Sequence, residues 1–447
     1  MLPRGRFAKT SAVVPSGDVT GRRTPRRPHR AGRVLATLLG AALLLAGCAS
    51  VGPLLPISIS HAVSPTGPVL TVRRLDADGE FESVSSPELA HQLEIRFGVR
   101  QLSILALSGG GADAAFGAGA LVGDAHAGAH MQFTAVTGVS AGALLAPFAF
   151  LGPAWYPEMA RIFTSGLTRG LLQSRGLAGL FGSSLYSGEP LRRLIARYVN
   201  HAMIAAIATQ AGKGRLLLVA TTDLSSGQPV IWDIGSVALH GGKKSMTLIR
   251  SILLASASVP GMFPPVVVRF CSHGVTYADP EVDGGATLPF FVMPAPQDVP
   301  RFTLADARPT VVRVIINGTL RSVPRPTHDN AISVFRRSLS VALDYRTQTR
   351  LQAIAKALQR RAIEFKYAAI PAGYPLRGTF DFAPRAQRSL FEYAARCAAA
   401  GRLWIDPAGG TGHHTNSTLP TVTEARRRAS RVIFEQFAAL HHRAACS

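Results

Sequence analysis

Between residues 99 and 320, short runs of apolar residues alternate with alanine-rich stretches that have the composition of helices. The apolar runs lack the polar alternation of strands that face water on one side, so both of their faces are expected to be buried. Strands of this kind, separated by helices, predict a mainly parallel sheet with helices on both sides. The predicted strands are 102–107, 133–137, 215–221, 229–234, 266–270 and 310–316.

The first 47 residues predict an export signal. Residues 1–33 contain nine Lys or Arg residues and one acid, Asp18. The apolar run at 34–46 is too short to span a bilayer and has the length of a signal-peptide core. It leads into Leu-Ala-Gly-Cys at 45–48, which resembles a bacterial lipobox, where cleavage precedes a cysteine that becomes lipidated. The alternative is an ordinary signal peptide with an incidental cysteine. Pro53 and Pro56 disfavour a permanent transmembrane helix.

Lipidation would make Cys48 the first residue of the mature chain. We therefore expect an exported protein, anchored by acyl chains to the bacterial cell envelope on the periplasmic side of the outer membrane. The stretch 49–72 is rich in Pro, Ser and Gly. Residues 48–95 are accordingly interpreted as the lipidated cysteine and a tether.

The charge of the chain restricts its partners. The formal net charge is +22, and without residues 1–47 the chain keeps 39 of its 48 basic and 25 of its 26 acidic residues, a net charge of +14. A basic surface favours anionic membranes as neighbours. Nucleic acid is excluded as a partner because no basic–aromatic motif is present and the chain carries an export signal.

Cysteine spacing gives no metal site. After Cys48 the cysteines are Cys271, Cys397 and Cys446, and their separations match no zinc pattern. In an oxidising compartment one pair can form a disulfide and leave one thiol free, with the pairing left open. The N-x-S/T matches at Asn317 and Asn416 are interpreted as chance in a bacterial protein.

Residues 321–447 are expected to be mainly helical and to pack on the core. Over 328–365 apolar residues recur at helical spacing, at Ile332, Phe335, Leu339 and Leu343, with arginines between them. A last helix is predicted over 421–442, basic on one side and apolar on the other. It either packs its apolar side on the core, which we favour, or lies on a membrane.

A serine motif stands where a predicted strand meets a predicted helix. Gly-Val-Ser-Ala-Gly at 138–142 follows the strand 133–137 and precedes an apolar helical stretch. In such an elbow the serine adopts a strained conformation with its hydroxyl exposed, and glycines avoid collisions with neighbouring strands. The N-terminus of the following helix stabilises negative charge that develops beside Ser140. Ser140 is therefore the candidate nucleophile.

A serine hydroxyl needs a base, and two arrangements are open. In a Ser-Asp-His triad the histidine would be His328, His413 or His414, which all follow the candidate acid. In a dyad, Asp283 in "YADPEVDGGATLP" would contact the serine directly. Asp-Gly-Gly is also a common turn sequence, so the motif alone does not decide.

Three successive glycines, Gly109, Gly110 and Gly111, follow the first predicted strand. Glycines at a strand-to-helix turn present bare N–H groups that can bind an oxyanion. A nucleotide-binding phosphate loop is the other interpretation. The sequence around these glycines lacks the glycine and lysine spacings that such phosphate loops require.

The order of glycine-rich loop, G-x-S-x-G and D-G-G resembles the patatin-like phospholipase family. The segment "ASASVPGMFPPV" at 255–266 is similar to a family segment between serine and aspartate, and "TTDLSSGQPVIWD" at 221–233 is similar to one of its bacterial lipoprotein-type branch. The resemblance covers 99–320. It implies a three-layer α/β/α sandwich with added C-terminal helices. It also implies hydrolysis of acyl esters of phospholipids or related lipids, without cofactor, metal or catalytic histidine.

By the same resemblance Ser140 is the nucleophile, Asp283 is the base, and Gly109, Gly110 and Gly111 form the oxyanion hole. Asp113 stands where many relatives have a basic residue, so we expect it to point away from the site. The asparagine common after D-G-G is also missing. These departures support an alternative, a non-catalytic envelope lipoprotein that binds acyl chains or partners.

Overall fold

Apolar runs that are buried along their whole length form the central strands of a ten-stranded mixed sheet. In the computed structural model of the chain, the described residues are 63–64, 67–68, 70–98, 102–128, 132–176, 179, 182–299, 310–321 and 326–407. The strand order is β12-β11-β5-β6-β7-β8-β3-β4, and β10 pairs with both β7 and β9. A separate two-stranded ladder joins β1 and β2. The strands are β1 (Val63–Ser64), β2 (Gly67–Pro68), β3 (Thr71–Leu75), β4 (Phe81–Ser85), β5 (Ser103–Leu107), β6 (Ala135–Val139), β7 (Leu216–Asp223), β8 (Gln228–Asp233), β9 (Val266–Ser272), β10 (Val275–Asp283), β11 (Val311–Thr319) and β12 (Glu364–Ile370).

The described helices connect these strands and cover the sheet. They are α1 (Ser86–Phe97), α2 (Ala115–His126), α3 (Ala141–Leu151), α4 (Tyr156–Thr164), α5 (Glu189–Tyr198), α6 (His201–Ala211), α7 (Ile234–His240), α8 (Gly242–Ser256), α9 (Ala331–Gln359) and α10 (Pro384–Ala399). Short 3₁₀ turns follow β5 and β10, at Gly111–Ala114 and Gly284–Ala286.

Alternate residues of the central strands pack into two separate cores. Leu105 and Leu107 of β5 face one layer, which α2, α3, α4, α8 and α10 help to cover. Ile104 and Ala106 face the other layer, formed by α1, the second half of α9 and a segment around Phe290. The pairings of β5, β6, β7, β11 and β12 with one another are parallel. The prediction of a mainly parallel sheet with helices on both faces is confirmed.

The sheet extends beyond the predicted domain on both sides. A tether was expected through residue 95, but β3, β4 and α1 lie within 70–97, and Val72 and Leu89 are fully buried. β3 adds in parallel to β8 through Val72 and Arg73. At the other edge, β12 adds in parallel to β11, so the C-terminal region contributes a strand as well as helices. The sequence pattern did not predict β3 and β4, because TVRRL and FESVS contain few apolar residues.

Several predictions concern residues outside those described. These are the signal peptide, lipidation at Cys48, His413, His414, Asn416, the helix at 421–442 and Cys446. Cys271 is a free thiol and Cys397 is disulfide-bonded. None of the helices in the described ranges combines the length and hydropathy needed to cross a membrane. The same residues contain no group of three or more His, Cys, Asp or Glu side chains that could hold a metal ion.

Candidate active site

Strand β7 aligns the ends of two other strands that lie on the same side of it. Its residue Ala220 pairs with Val139, the last residue of β6. Its next residue, Thr221, pairs with Asp283, the last residue of β10, which enters from the opposite direction. Ser140 directly follows Val139, so consecutive positions of β7 bring Ser140 and Asp283 together.

Ser140 lies in a strained turn between β6 and α3. Its φ of 57° is in the left-handed region, which non-glycine residues rarely adopt. A Cβ at Gly138 would lie 2.7 Å from the Cα of Ala143, and one at Gly142 would lie 2.5 Å from the carbonyl oxygen of Leu107. Both glycines of the motif are therefore required by backbone contacts around the serine.

Ser140 and Asp283 form a direct hydrogen bond. The serine Oγ donates to Asp283 Oδ2 at 2.6 Å, and the Gly285 N–H donates to Oδ1 at 2.7 Å. Burial raises the pKa of the Asp283 carboxyl from 3.8 to about 7, while the hydrogen bonds from Ser140 and Gly285 oppose that rise. The carboxylate is thus poised to exchange a proton near neutral pH.

No histidine among the described residues takes part in this pair. The carboxylate oxygens of Asp283 accept hydrogen bonds from Ser140 and Gly285 within the described ranges. His328 is exposed in the connection before α9. Here the geometry is that of a Ser-Asp pair, whereas the part of the triad hypothesis that rests on His413 or His414 lies outside the described chain.

The C-terminal end of α8 and the residues directly after it hold both members of the pair. Ser256 Oγ accepts a hydrogen bond from the Ser140 N–H at 3.0 Å and donates to the Ala220 carbonyl at 2.7 Å. Two residues later, the Ser258 carbonyl accepts the Asp283 N–H at 2.9 Å. The small residues of this segment are therefore needed to fit between the two strand ends.

The glycine-rich loop offers two donors rather than the three that were predicted. The Gly109 N–H donates to the Pro289 carbonyl at 3.2 Å, so it is not available to an oxyanion. Within the described ranges, the N–H groups of Gly110 and Gly111 donate to no acceptor, and Gly111 lines a cavity with Ser140. The N–H of Ala141, in the first turn of α3, has no intrahelical partner and is a third candidate donor.

Close packing of the backbone, as well as space for a ligand, explains why residues 110 and 111 are glycines. A Cβ at Gly110 would lie 2.0 Å from the Asn317 carbonyl oxygen, and one at Gly111 would lie 2.3 Å from the Thr379 carbonyl oxygen. The φ of Gly111 is 53°, which also favours glycine. β11 and the segment before α10 therefore lie directly against the loop and leave no room for a side chain at either glycine.

Asn317 on β11 fastens the same loop. Its Nδ2 donates to the Ser108 carbonyl at 2.8 Å and its Oδ1 accepts the Gly117 N–H at 3.0 Å. Its own N–H donates to Ser108 Oγ at 2.8 Å. Asn317 is 1% exposed, so this N-x-S/T match is a structural residue in the folded chain.

Arg346 of α9 fastens the turn that follows Asp283. Its guanidinium donates to the carbonyls of Gly285 at 3.3 Å and Ala286 at 2.7 Å, and also to that of Thr287. The Gly285 N–H in turn bonds to Asp283, so Arg346 supports the carboxylate through one intervening residue. A helix outside the predicted domain therefore contributes to the site.

Asp113 does not line the cavity, consistent with the expectation that it points away. It is buried in the 3₁₀ turn after the glycines, and its N–H donates to the Gly110 carbonyl at 3.0 Å. It lies near Tyr374, whose pKa is raised to about 12, chiefly by burial and to a lesser extent by Tyr393 and Asp113.

A cavity of about 100 Å³ begins at Ser140 and is walled almost entirely by apolar side chains. Residues of α3 from Ala141 to Phe148 line one side, so the cavity extends about 12 Å along that helix. The Phe148 ring lies 6.2 Å from that of Tyr198, which also lines the cavity. The polar lining residues Thr168 and Gln387 hydrogen-bond to each other. This shape suits a hydrocarbon chain.

Three supporting residues were missed by sequence reasoning. Ser256 lay in a segment singled out only by its family resemblance, Asn317 was interpreted as a chance sequon, and Arg346 was one of the arginines between the apolar residues of 328–365, with no role assigned. The position of Asn317, directly after the apolar run 310–316, is the one local sequence signal that indicates a structural role. Nothing in the sequence pairs Arg346 with the carbonyls that it contacts.

Residues 105–296 match a family model described as "Patatin-like phospholipase". No curated protein matches the chain. Among solved structures, the crystal structure of VipD from Legionella pneumophila is similar over 75% of this chain and 71% of that one, with 11% sequence identity and a TM-score of 0.32.

Proposed function

The chain contains a patatin-like phospholipase domain over residues 105–296, and on that premise we propose that it hydrolyses acyl esters of phospholipids or related lipids. The observation that carries the proposal is the direct contact of Ser140 Oγ with Asp283 Oδ2 at 2.6 Å, at one end of an apolar cavity. Nucleophile, base and acyl-binding space are thereby adjacent.

In the first step, Asp283 accepts the proton of the Ser140 hydroxyl as Oγ attacks the ester carbonyl carbon. The carbonyl oxygen becomes anionic and is stabilised by the N–H groups of Gly110, Gly111 and Ala141, with the N-terminus of α3 adding to the favourable field. Collapse of the tetrahedral intermediate breaks the ester C–O bond. The proton held by Asp283 passes to the departing alcohol, leaving an acyl-serine.

Water completes the cycle. Asp283 accepts a proton from a water molecule that attacks the acyl-serine, and the same proton then returns to Ser140 Oγ as the fatty acid departs. A carboxyl with a pKa of about 7 can both accept and return a proton near neutral pH, whereas an ordinary aspartate would return it poorly. Burial of Asp283 is therefore part of the proposed chemistry.

The apolar walls support an acyl chain as the bound group. Leu144, Phe148 and Leu194 present only hydrocarbon to the cavity, and a lipid chain that enters it leaves water. Removal of apolar surface from water contributes about 25 cal/mol per Å². The acyl part of the substrate then supplies binding free energy, while the head group remains outside.

Ser140→Ala tests the proposal. We expect loss of hydrolysis of a chromogenic acyl ester and loss of covalent labelling by a fluorophosphonate, with an unchanged melting temperature. The matched control is Ser165→Ala, a change at an exposed serine outside the cavity lining. Full turnover by Ser140→Ala would refute the proposal. Absence of labelling in the wild-type protein would favour the non-catalytic lipid-binding alternative. Lipid products from purified protein then identify the ester that is cleaved.

We also propose that Cys48 carries the lipid anchor and that the protein acts at the cell envelope, supported by Leu-Ala-Gly-Cys at 45–48 after the apolar run. Metabolic labelling with a fatty acid tests this. Label is expected in the wild-type chain and not in Cys48→Ser, while equal label in both would exclude the anchor.

A further inference from the structure

The first half of α9 runs along the outside of the cavity wall. The Phe335 ring lies 3.3 Å from the position that a Cβ would take at Gly261. Gly261 stands between Val259 and Phe263, and both of these residues line the cavity. The start of α9 is therefore separated from the cavity by a single layer of residues.

A second contact joins this helix to the other side of the wall. The Arg336 guanidinium lies 5.1 Å from the centre of the Phe380 ring, and Phe380 lines the cavity. Arg377, three residues earlier in the same segment, is exposed. Further along α9, Leu343 lies 3.8 Å from the position of a Cβ at Gly285, beside Asp283. The helix thus borders the whole site from Phe335 to Arg346.

Burial divides α9 into two unlike halves. Its buried positions are Thr347, Leu351, Ile354 and Leu358, all in the second half. The first half, residues 331–345, instead exposes large apolar side chains. These are Ile332 (41% exposed), Val334 (48%), Phe335 (44%) and Tyr345 (68%).

The exposed apolar residues lie on more than one side of the helix. Phe335 faces the cavity wall, whereas Val334 and Tyr345, eleven positions apart, share the outer side. Val334 and Tyr345 lie about 80–100° around the helix from Phe335, and an apolar surface of this width is ordinarily covered. Clustered exposure of this kind marks a surface that contacts a membrane or another protein.

Charge favours a lipid surface as the partner. The first half of α9 carries Arg336 and Arg337 against one acid, Asp344, and the exposed Arg377 of the neighbouring segment adds a further positive charge. Apolar residues beside basic ones are the composition by which helices bind the interface of anionic bilayers. A second copy of this basic chain would bring like charges together.

We propose that the first half of α9, with the neighbouring Phe380 segment, is a docking surface for an anionic lipid bilayer. Docking through Val334 and Tyr345 places the cavity wall against the acyl chains, so that a chain can pass from lipid to cavity beside Ser140. The choice of a bilayer rather than a protein rests on the proposed function. The contact itself does not require turnover.

Depth-dependent fluorescence tests the surface directly. The full chain with Ser140→Ala, which cannot consume the vesicles, receives either Val334→Trp or the matched control Ile95→Trp, at a residue of α1 that is 73% exposed. Vesicles of phosphatidylglycerol and phosphatidylcholine carry brominated acyl chains. Spectra are corrected for the three native tryptophans.

We expect quenching and a blue shift for Val334→Trp and neither for Ile95→Trp. Vesicle-bound protein with no quenching at position 334, or equal quenching at both positions, would overturn the proposal. So would a wild-type chain that dimerises through this face and does not bind vesicles. Because binding is measured without turnover, a negative result here leaves the ester hydrolysis at Ser140 to be judged separately.

A functional readout complements the fluorescence. The double change Val334→Ser and Tyr345→Ser should lower hydrolysis of vesicle substrate about tenfold, since each removed side chain forfeits apolar transfer free energy. Hydrolysis of a soluble short-chain ester should be unchanged. Equal loss on both substrates would show damage to the site and would contradict docking.

Discussion

Ser140 Oγ and Asp283 Oδ2 lie 2.6 Å apart although 143 positions separate them in the chain. The pair forms because β6 and β10 meet end to end along one side of β7, where Ala220 and Thr221 hold their last residues. Ser140 is held in a left-handed turn with a φ of 57°, and Asp283 is 3% exposed. Strain at one partner and burial at the other are properties of residues selected for chemistry.

Replacing the proposed base should reduce turnover with little change in shape. Asp283→Asn keeps the size of the side chain but cannot accept the serine proton, so kcat should fall about 10²- to 10⁴-fold. His328→Ala, at an exposed residue, should leave kcat unchanged. Steady-state rates on a soluble chromogenic ester, with melting temperatures as a check on folding, measure both variants. An active Asp283→Asn beside an inactive His328→Ala would support a triad instead.

The raised pKa of Asp283 predicts the pH dependence of the rate. Because burial raises it to about 7, the carboxyl is protonated at acidic pH and cannot accept a proton. We expect kcat/KM to rise with pH from 5 to 8, with its midpoint near 7. Initial rates in a buffer series of constant ionic strength measure the profile. A flat profile over this interval would argue against Asp283 as the base.

Glu281, on the same strand, predicts a pH dependence of stability. Burial raises its pKa from 4.5 to about 8, and its nearest cation, Arg73 Nη1, lies 3.9 Å away and also bonds to Asp279. The folded state therefore keeps a proton that the unfolded state loses near pH 4.5. The stability from this group is fully present below that value and is lost as pH rises through 8.

The neutral variant Glu281→Gln should accordingly lose less stability than the wild type between pH 6 and pH 9. Urea unfolding at a series of pH values gives the comparison. Asp283 contributes a slope of the same sign below about pH 7, but it does so in both proteins and therefore cancels in the difference between them. Parallel stability curves for the two proteins would contradict the prediction.

A steric prediction concerns the glycine-rich loop. Gly110→Ala places a Cβ 2.0 Å from the Asn317 carbonyl oxygen, a backbone atom that cannot move aside easily. We expect destabilisation of about 1–3 kcal/mol and loss of activity as the loop is displaced. Gly318→Ala is the matched control, because nothing lies within 4 Å of its Cβ position. Thermal and urea unfolding should separate the two, and equal stabilities would show that the loop has room to shift.

Arg346 is expected to act as a positioning residue. Arg346→Met removes the donors to the carbonyls of Gly285, Ala286 and Thr287, so the turn that aligns Asp283 loosens. Kcat on a soluble ester should fall about tenfold or more with little change in KM, since small misplacements of a catalytic group are costly. The midpoint of the pH profile should also move, and Arg346→Lys should restore part of the rate.

The control for Arg346 is Arg193→Met, at an exposed arginine that forms a surface ion pair with Glu189. That change should leave rate and pH profile as in the wild type. If Arg346→Met lowers stability alone and the rate per folded molecule is unaffected, the residue is structural and does not position the base.

Local sequence was sufficient for the strand and turn that hold Ser140, whereas β10, which ends at Asp283, was not among the predicted strands. The predicted strands at 102–107 and 133–137 overlap β5 and β6, because runs that are apolar on both faces are recognisable without their neighbours. The turn at Ser140 was recognisable too, since one of its two glycines is required by contacts within a few residues, although Gly142 lies against the distant Leu107. Gly138, for example, meets Ala143.

Tertiary structure alone decided what surrounds the pair. The outer strands β3 and β12 are stabilised by pairing with β8 and β11, and their mixed composition does not show it. Gly110 is glycine partly because Asn317 lies against it. The Gly109 N–H is not available to a ligand because it donates a hydrogen bond to the Pro289 carbonyl. Sequence by itself determined most of the central strands, a strained serine turn and a candidate acid. Which backbone groups those residues meet depends on strand register across long separations, and local patterns of polarity contain no information on it.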